Sequence, residues 1–303
     1  MDMFQQYVDW VKQIRFEVER WGFKRVEGSY KSIIIAGMGG SGIVGDYVAR
    51  LSEYYGGLPV LVYKSHTPPR FTSSSDLVIV VSYSGNTLET IRFLEGVLGR
   101  SDIVVVSSGG VLRDISLRHN LVYVDIPHGY APRVALPSML FSILGLLDAS
   151  GYTIVSRDIV LKLLSFLESE MSEIIGLARE IAGFIHSNNG LPIIATHYPF
   201  DALAIRAKNE FNENSKIPVK VEVAPEWMHN DIVGWENPPG GLLFNAIAFY
   251  DPVDATGVKL VEYMIDVYRE HGIPVYSFAL KGSNLLERLM YGSLLFGLSS
   301  VIL

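Results

Sequence analysis

Two short segments contain the residue types that hold a phosphate group. Gly37-Met38-Gly39-Gly40-Ser41-Gly42 sits between an apolar run and a segment with helical spacing. Its glycines let the backbone turn tightly and bring N–H groups, with a helix N-terminus behind them, close to an anion. Some forty residues on, Ser82-Tyr83-Ser84-Gly85-Asn86-Thr87 follows a second apolar run and again opens a helical pattern. Its three hydroxyls, added to free backbone N–H groups, make a compact cage for a phosphate monoester. Gly40, Ser41, Ser82, Ser84 and Thr87 are therefore the candidate phosphate ligands. Either segment alone has an ordinary explanation: Ser84 and Thr87 could simply cap a helix. Together, at the ends of the first and third strands of one sheet, they converge on a single site.

The first segment also satisfies the dinucleotide pattern, with Gly37, Gly39 and Gly42 in register. That pattern requires a carboxylate about 20 positions on, to hold a ribose. The second strand instead ends Val62-Tyr63-Lys64-Ser65. That departure, with the hydroxyl-rich second segment, turns the site away from a nicotinamide-dependent oxidoreductase, and a titration with NAD and NADP is expected to show no binding.

These segments need a scaffold to position them. The chain has 303 residues, a length that suits two α/β domains of about 150 residues each. Hydrophobic residues make up 49% and charged residues 19%, enough apolar surface for two cores. Short β-branched runs at 32–36, 59–63, 77–82, 103–107 and 121–125 predict strands. Helical spacing at 43–55, 87–98 and 135–147 separates most of them. Leu77-Val78-Ile79-Val80-Val81 is apolar on both faces, as in a parallel sheet covered on two sides. Residues 4–21 predict one amphipathic helix, and residues 157–187 a long one closed by Asn188-Asn189-Gly190. Alternation then resumes, with strands at 192–196, 219–224, 242–249 and 275–280 and helices at 202–213, 254–271 and from Leu285 on. The stretch between Ala224 and Gly241 has no periodicity and predicts a functional loop. The expected class is α/β, two doubly wound parallel-sheet subdomains joined by a long helix. The expected boundaries are 1–152, 153–190 for the connecting helix, and 191–303.

The bulk composition restricts partners. A net charge of −7 argues against nucleic acid, which requires clustered Lys and Arg. With no cysteine, disulfides, thiolate nucleophiles and cysteine-ligated zinc are excluded. No uninterrupted apolar run reaches about 18 residues and the opening residues lack a signal-peptide pattern, so no membrane association and a cytoplasmic location are expected.

GMGGSG followed by VSYSGNT resembles the sugar isomerase (SIS) domain. Three further landmarks occur in order: Ala131-Pro132-Arg133-Val134-Ala135-Leu136-Pro137, Lys208-Asn209-Glu210-Phe211-Asn212-Glu213-Asn214 and Pro225-Glu226-Trp227-Met228-His229-Asn230. With them the whole chain is similar to the archaeal bifunctional phosphoglucose/phosphomannose isomerases. The resemblance implies an aldose–ketose isomerase for hexose 6-phosphates, working through a cis-enediolate with no cofactor and no metal. Such chemistry needs a base, an enediolate stabiliser and a ring-opening acid. Spacing alone does not choose between Glu210 and Glu213, three apart on one predicted helix face; the resemblance selects Glu213 as the base, a role for which partial burial is expected. It likewise assigns Arg133 to the enediolate and His229 to ring opening, and implies a homodimer in which His229 is donated across the interface. Glu226 and His229 as a metal pair lack a third clustered ligand. Similar proteins carry a C-terminal lysine that assists ring opening. This chain ends within an apolar helical run at Leu303, as expected either of a truncated sequence or of a protein without that group, and its nearest lysine, Lys281, does not match that position. The alternative is a non-catalytic phosphosugar-binding regulatory module.

Overall fold

The computed structural model describes residues 2–236 and 243–303. The chain forms two compact units, Met1–Ser165 and Phe166–Leu303.

The first unit is built on five parallel strands: β1 (Ser32–Ala36), β2 (Val60–Tyr63), β3 (Asp76–Val81), β4 (Asp102–Ser107) and β5 (Val122–Asp125), in the order β2-β1-β3-β4-β5. The register pairs Ile34 with Val78 and Ile35 with Ile79, so β1 and β3 end side by side. Every residue of β3 is buried, as its two-sided apolar run requires. Because the chain winds outward in both directions from β1 and β3, a crevice opens beyond their carboxyl ends, where such sheets bind ligands.

Two amphipathic helices precede this sheet, α1 (Met3–Val8) and α2 (Trp10–Glu19), where the apolar spacing predicts one. The break falls at Asp9, whose ψ is near 3°. Its carboxylate accepts from Gln5 Nε2 at 3.1 Å and pairs with Lys12 at 2.8 Å, so local side-chain bonding competes with the helix ladder. Helix α3 (Gly39–Tyr55) follows β1 and α4 (Leu88–Val97) follows β3. Helix α5 (Gly110–Arg118), absent from the sequence reading, links β4 to β5; only Leu112, Ile115 and Ser116 are buried on it, too short a stripe to read as periodicity. Helix α6 (Leu136–Ala149) is buried continuously from Leu136 to Leu147. Arg157–Ser187 forms the predicted long helix, α7.

The second unit carries four parallel strands, β6 (Leu191–His197), β7 (Lys220–Ala224), β8 (Phe244–Tyr250) and β9 (Val275–Ala279), in the order β7-β6-β8-β9. Helices α8 (Asp201–Glu210), α9 (Ala255–Glu270) and α10 (Leu285–Ile302) pack with them. Leu242, the expected start of β8, and 237–241 lie outside the described residues. Although Glu287 and Arg288 interrupt it, α10 is apolar enough over 18 residues to cross a membrane by composition, alone among the described residues. Yet 89% of that window is buried inside the protein, which is the setting of a core helix.

Candidate active site

The two phosphate-type segments meet. Helix α3 begins within the Gly-rich turn itself, four residues earlier than its apolar spacing predicts, and its N-cap residue Met38 makes no side-chain cap. Thr87 stands at the N-cap of α4 and also makes none. Its hydroxyl instead lies 3.0 Å from Ser82 Oγ, so the capping explanation fails for Thr87. Two helix N-termini, each with orphan N–H groups and the positive end of a helix dipole, are thus left without a side-chain acceptor.

Ser41 Oγ accepts the N–H of Tyr83 at 3.0 Å and tethers one corner to the other. It is buried, with Met139 Sδ 3.5 Å away. Ser84 is exposed, and its Oγ accepts from the N–H of Asn86 at 3.2 Å, closing a local turn. Gly85, at φ +67°, passes so close to the β4–α5 corner that a Cβ there would lie 1.8 Å from the Gly109 carbonyl oxygen. Only glycine fits both that contact and that backbone. Asn86 Oδ1 accepts the N–H of Val111 at 3.1 Å, tying in the start of α5.

Tyr83 went unnoticed in the sequence, and it organises the site. Its hydroxyl donates to the Pro127 carbonyl at 3.1 Å and accepts the Tyr130 N–H at 2.9 Å, fastening the segment that leads to Arg133. Burial raises its phenol above the ordinary value, partly opposed by the Tyr130 N–H. Its place between two hydroxyl residues was the available signal. The N-terminal helices grip the same segment: Trp10 Nε1 donates to the Val134 carbonyl at 2.8 Å, and the Ala131 N–H donates to Gln6 Oε1 at 2.8 Å. Arg133 is half-buried, and its backbone packs directly on the Gly-rich turn. A Cβ on Gly40 would meet Arg133 Cα at 2.9 Å and its N at 3.1 Å. Gly40, Ser41, Ser82, Ser84, Thr87 and Arg133 are therefore gathered beyond the carboxyl ends of β1 and β3. At the end of β2, where a dinucleotide site needs a carboxylate, Lys64 stands paired with Asp46.

The other two candidates lie in the second unit. After Glu210 the helix widens into a π-helical turn, Phe211–Ser215, ended by Lys216 at φ 61°. Single π turns recur at functional positions. This widening corrects the expectation that Glu210 and Glu213 share a face. Glu210 is buried, 2.5 Å from the equally buried Arg206, and its other oxygen accepts from Asn214. Glu213 is exposed within the chain, against the expected partial burial. His229 is also exposed and ends the 3₁₀ turn Glu226–Met228. As far as Trp235 its non-periodic stretch holds local order: a second 3₁₀ turn spans Asp231–Trp235, and Trp227 and Trp235 are both buried. Lys281 holds Glu173 at 2.5 Å and Glu170 at 3.0 Å, and those bonds push its pKa up.

Residues 29–143 match the SIS domain family, and residues 175–303 match the bacterial phospho-glucose isomerase C-terminal SIS domain. A putative phosphosugar isomerase of Clostridium difficile 630 shares the fold, with a TM-score of 0.72 at 15% identity over 100% of this chain and 92% of that one. This is a protein of two SIS-type α/β units. A bifunctional phosphoglucose/phosphomannose isomerase from Aeropyrum pernix is 33% identical over 97% of this chain and 90% of its own length. One from Aquifex aeolicus is 31% identical over 86% and 80%. The chain belongs to the bifunctional phosphoglucose/phosphomannose isomerase family.

Proposed function

We propose that this protein interconverts glucose 6-phosphate and fructose 6-phosphate, and accepts mannose 6-phosphate. The observation that carries the reading is the pair of uncapped helix N-termini, α3 and α4, tied by Ser41 and Tyr83 and edged with hydroxyls. A phosphate dianion supplies the acceptors these groups lack.

In the proposed reaction His229 protonates the ring oxygen as the C1–O5 bond breaks and the C1 hydroxyl gives up its proton to solvent water, leaving an open-chain aldehyde. Glu213 then removes the C2 proton, the electron pair moves through C1–C2 onto O1, and the Arg133 guanidinium balances the enediolate charge. The O2 proton passes to O1, and return of the proton from Glu213 to C1, with O2 becoming the carbonyl, gives the ketose. Both C2 epimers pass through the same enediolate, which accounts for the acceptance of mannose 6-phosphate. The working form is a cytoplasmic homodimer in which His229 serves the partner's site.

The test is turnover of fructose 6-phosphate by the protein and by Glu213→Gln. Loss of a general base is expected to lower kcat by about 10²–10⁴-fold. Unchanged kcat in the variant removes Glu213 from the mechanism. Binding that depends on Ser41 and Ser84 without turnover at any enzyme concentration would favour the non-catalytic module.

A further inference from the structure

The second unit contains a carboxylate that the proposed chemistry does not use. Glu222, on β7, is fully buried, and a buried carboxylate is costly unless its oxygens are well supplied with donors. Three donors reach it. Lys220 Nζ pairs with Oε1, while Trp227 Nε1, at 2.7 Å, and the Tyr268 hydroxyl both donate to Oε2. Trp227 lies two residues before His229. On the other side of His229, the ring of Trp235 stands edge-on to Tyr268 with centroids 5.5 Å apart, and Lys220 Nζ lies 5.2 Å from its centroid. One carboxylate therefore fixes the first tryptophan directly, and the second through Lys220 and Tyr268. Between these two buried anchors the His229 N–H bonds the Glu226 carbonyl at 3.0 Å while the imidazole stands exposed.

We propose that Glu222 is a positioning residue for His229, holding the two tryptophan-anchored turns so that the imidazole is displayed from a fixed backbone. The role rests on the reading of His229 as the ring-opening acid. Burial, and then the charge of Glu222, pushes the Tyr268 hydroxyl well above its ordinary pKa, so it stays a donor at every working pH. In Glu222→Gln the side chain keeps its shape, but its amide N–H₂ group faces a donor and its charge no longer balances Lys220. The turns then lose their common anchor.

The experiment compares Glu222→Gln, His229→Gln and the double variant, with fructose 6-phosphate as substrate and 5-phosphoarabinonate, an open-chain mimic of the enediolate, as inhibitor. A displaced acid is expected to lower kcat/KM by about tenfold to a hundredfold. The inhibitor constant should stay within about twofold, since an open chain needs no ring opening and a general loss of structure would weaken it. In the His229→Gln background, Glu222→Gln should cost nothing more, because groups acting through one another are not additive. Full turnover by Glu222→Gln, or an equal loss with and without His229, overturns the proposal. If Glu222→Gln does not fold, Tyr268→Phe, which removes one donor, is expected to give a smaller loss with the same dependence on His229; a loss independent of His229 overturns it. Absence of turnover in the parent protein is a different result, and it overturns the isomerase reading on which this role depends.

Discussion

Placing one methyl group at Gly40 tests whether the Gly-rich turn and Arg133 are one device. A Cβ there would sit 2.9 Å from Arg133 Cα, 3.1 Å from its N and 3.2 Å from the Pro132 carbonyl oxygen. Carbon atoms rest at about 3.5 Å or beyond, so the Arg133 backbone must retreat by roughly 0.6 Å, and no flexible side chain is there to yield instead. Overpacking of this kind costs about 1–3 kcal/mol of stability. With Arg133 as the proposed enediolate stabiliser, a displacement of that size is expected to cost about tenfold to a hundredfold in rate. Gly45, further along α3, provides the control. A Cβ there meets Val62 Cγ1 at 2.9 Å and Ile35 Cγ2 at 3.2 Å, which are side-chain atoms in the core. Urea unfolding and fructose 6-phosphate turnover should therefore separate the two variants. Gly40→Ala is expected to lose kcat out of proportion to its stability, and Gly45→Ala to lose stability with kcat nearly intact. Equal activity loss in both, or full activity in Gly40→Ala, refutes the coupling.

Two further outcomes follow from buried carboxylates. Glu210→Ala leaves the Arg206 guanidinium buried beside a missing partner and should cost about 3–5 kcal/mol in urea unfolding, whereas Glu213→Ala, at an exposed position, should stay within about 0.5 kcal/mol. Equal costs would refute the assignment of the ion-paired brace to Glu210. Burial lifts the Glu17 carboxyl from 4.5 to about 8, opposed by Arg20, and its Oε1 has no hydrogen-bond partner. The folded protein therefore holds a proton that the unfolded chain releases near 4.5, so this contribution is fully present below about pH 4.5 and is lost as pH rises through about 8. Thermal unfolding of Glu17→Gln across pH 5 to 9 should lack that decline; an identical slope in both proteins would rule the assignment out.

Much of the fold was legible because both sheets are parallel and their central strands are buried. Runs such as Leu77–Val81 have to be apolar on both faces, and their ends mark where ligand-binding corners lie. The two corners were legible for the same reason: either alone could be a helix start with an ordinary cap, but placed at the ends of neighbouring buried strands they point to one anion. What escaped depended on side-chain competition and local geometry. Asp9 breaks a helix whose apolar stripe continues across it. The π turn at Phe211–Ser215 inserts a change of phase that a 3.6-residue period does not register, so two glutamates three apart came out on different faces. Trp227 and Trp235 sit in a stretch without periodicity because each is anchored singly, and the carboxylate that serves them lies on a strand several residues earlier.

The proposed reading places the phosphate in the first α/β unit, although the second repeats the same parallel-sheet architecture. Both sheets present the same crevice beyond two adjoining parallel strands, β1 and β3 in one unit and β6 and β8 in the other. In the first unit the helices that follow those strands start without side-chain caps, and hydroxyls surround the openings. In the second, α8 also starts without a side-chain cap, at Phe200, but the Asp254 carboxylate accepts from the N–H groups of Thr256 and Gly257 at 3.1 Å and 3.0 Å, so α9 already has its anion. The His197 ring fills the neighbouring space, with a Cβ on Gly257 falling 2.3 Å from it, and its Nε2 accepts the Asp251 N–H at 3.0 Å. A helix N-terminus satisfied by its own carboxylate has little to offer a second negative group, which it would also repel. Two open helix starts adjoin one another in the first unit and only one, that of α8, is open at the matching place in the second, which supports the proposed phosphate site in the first unit.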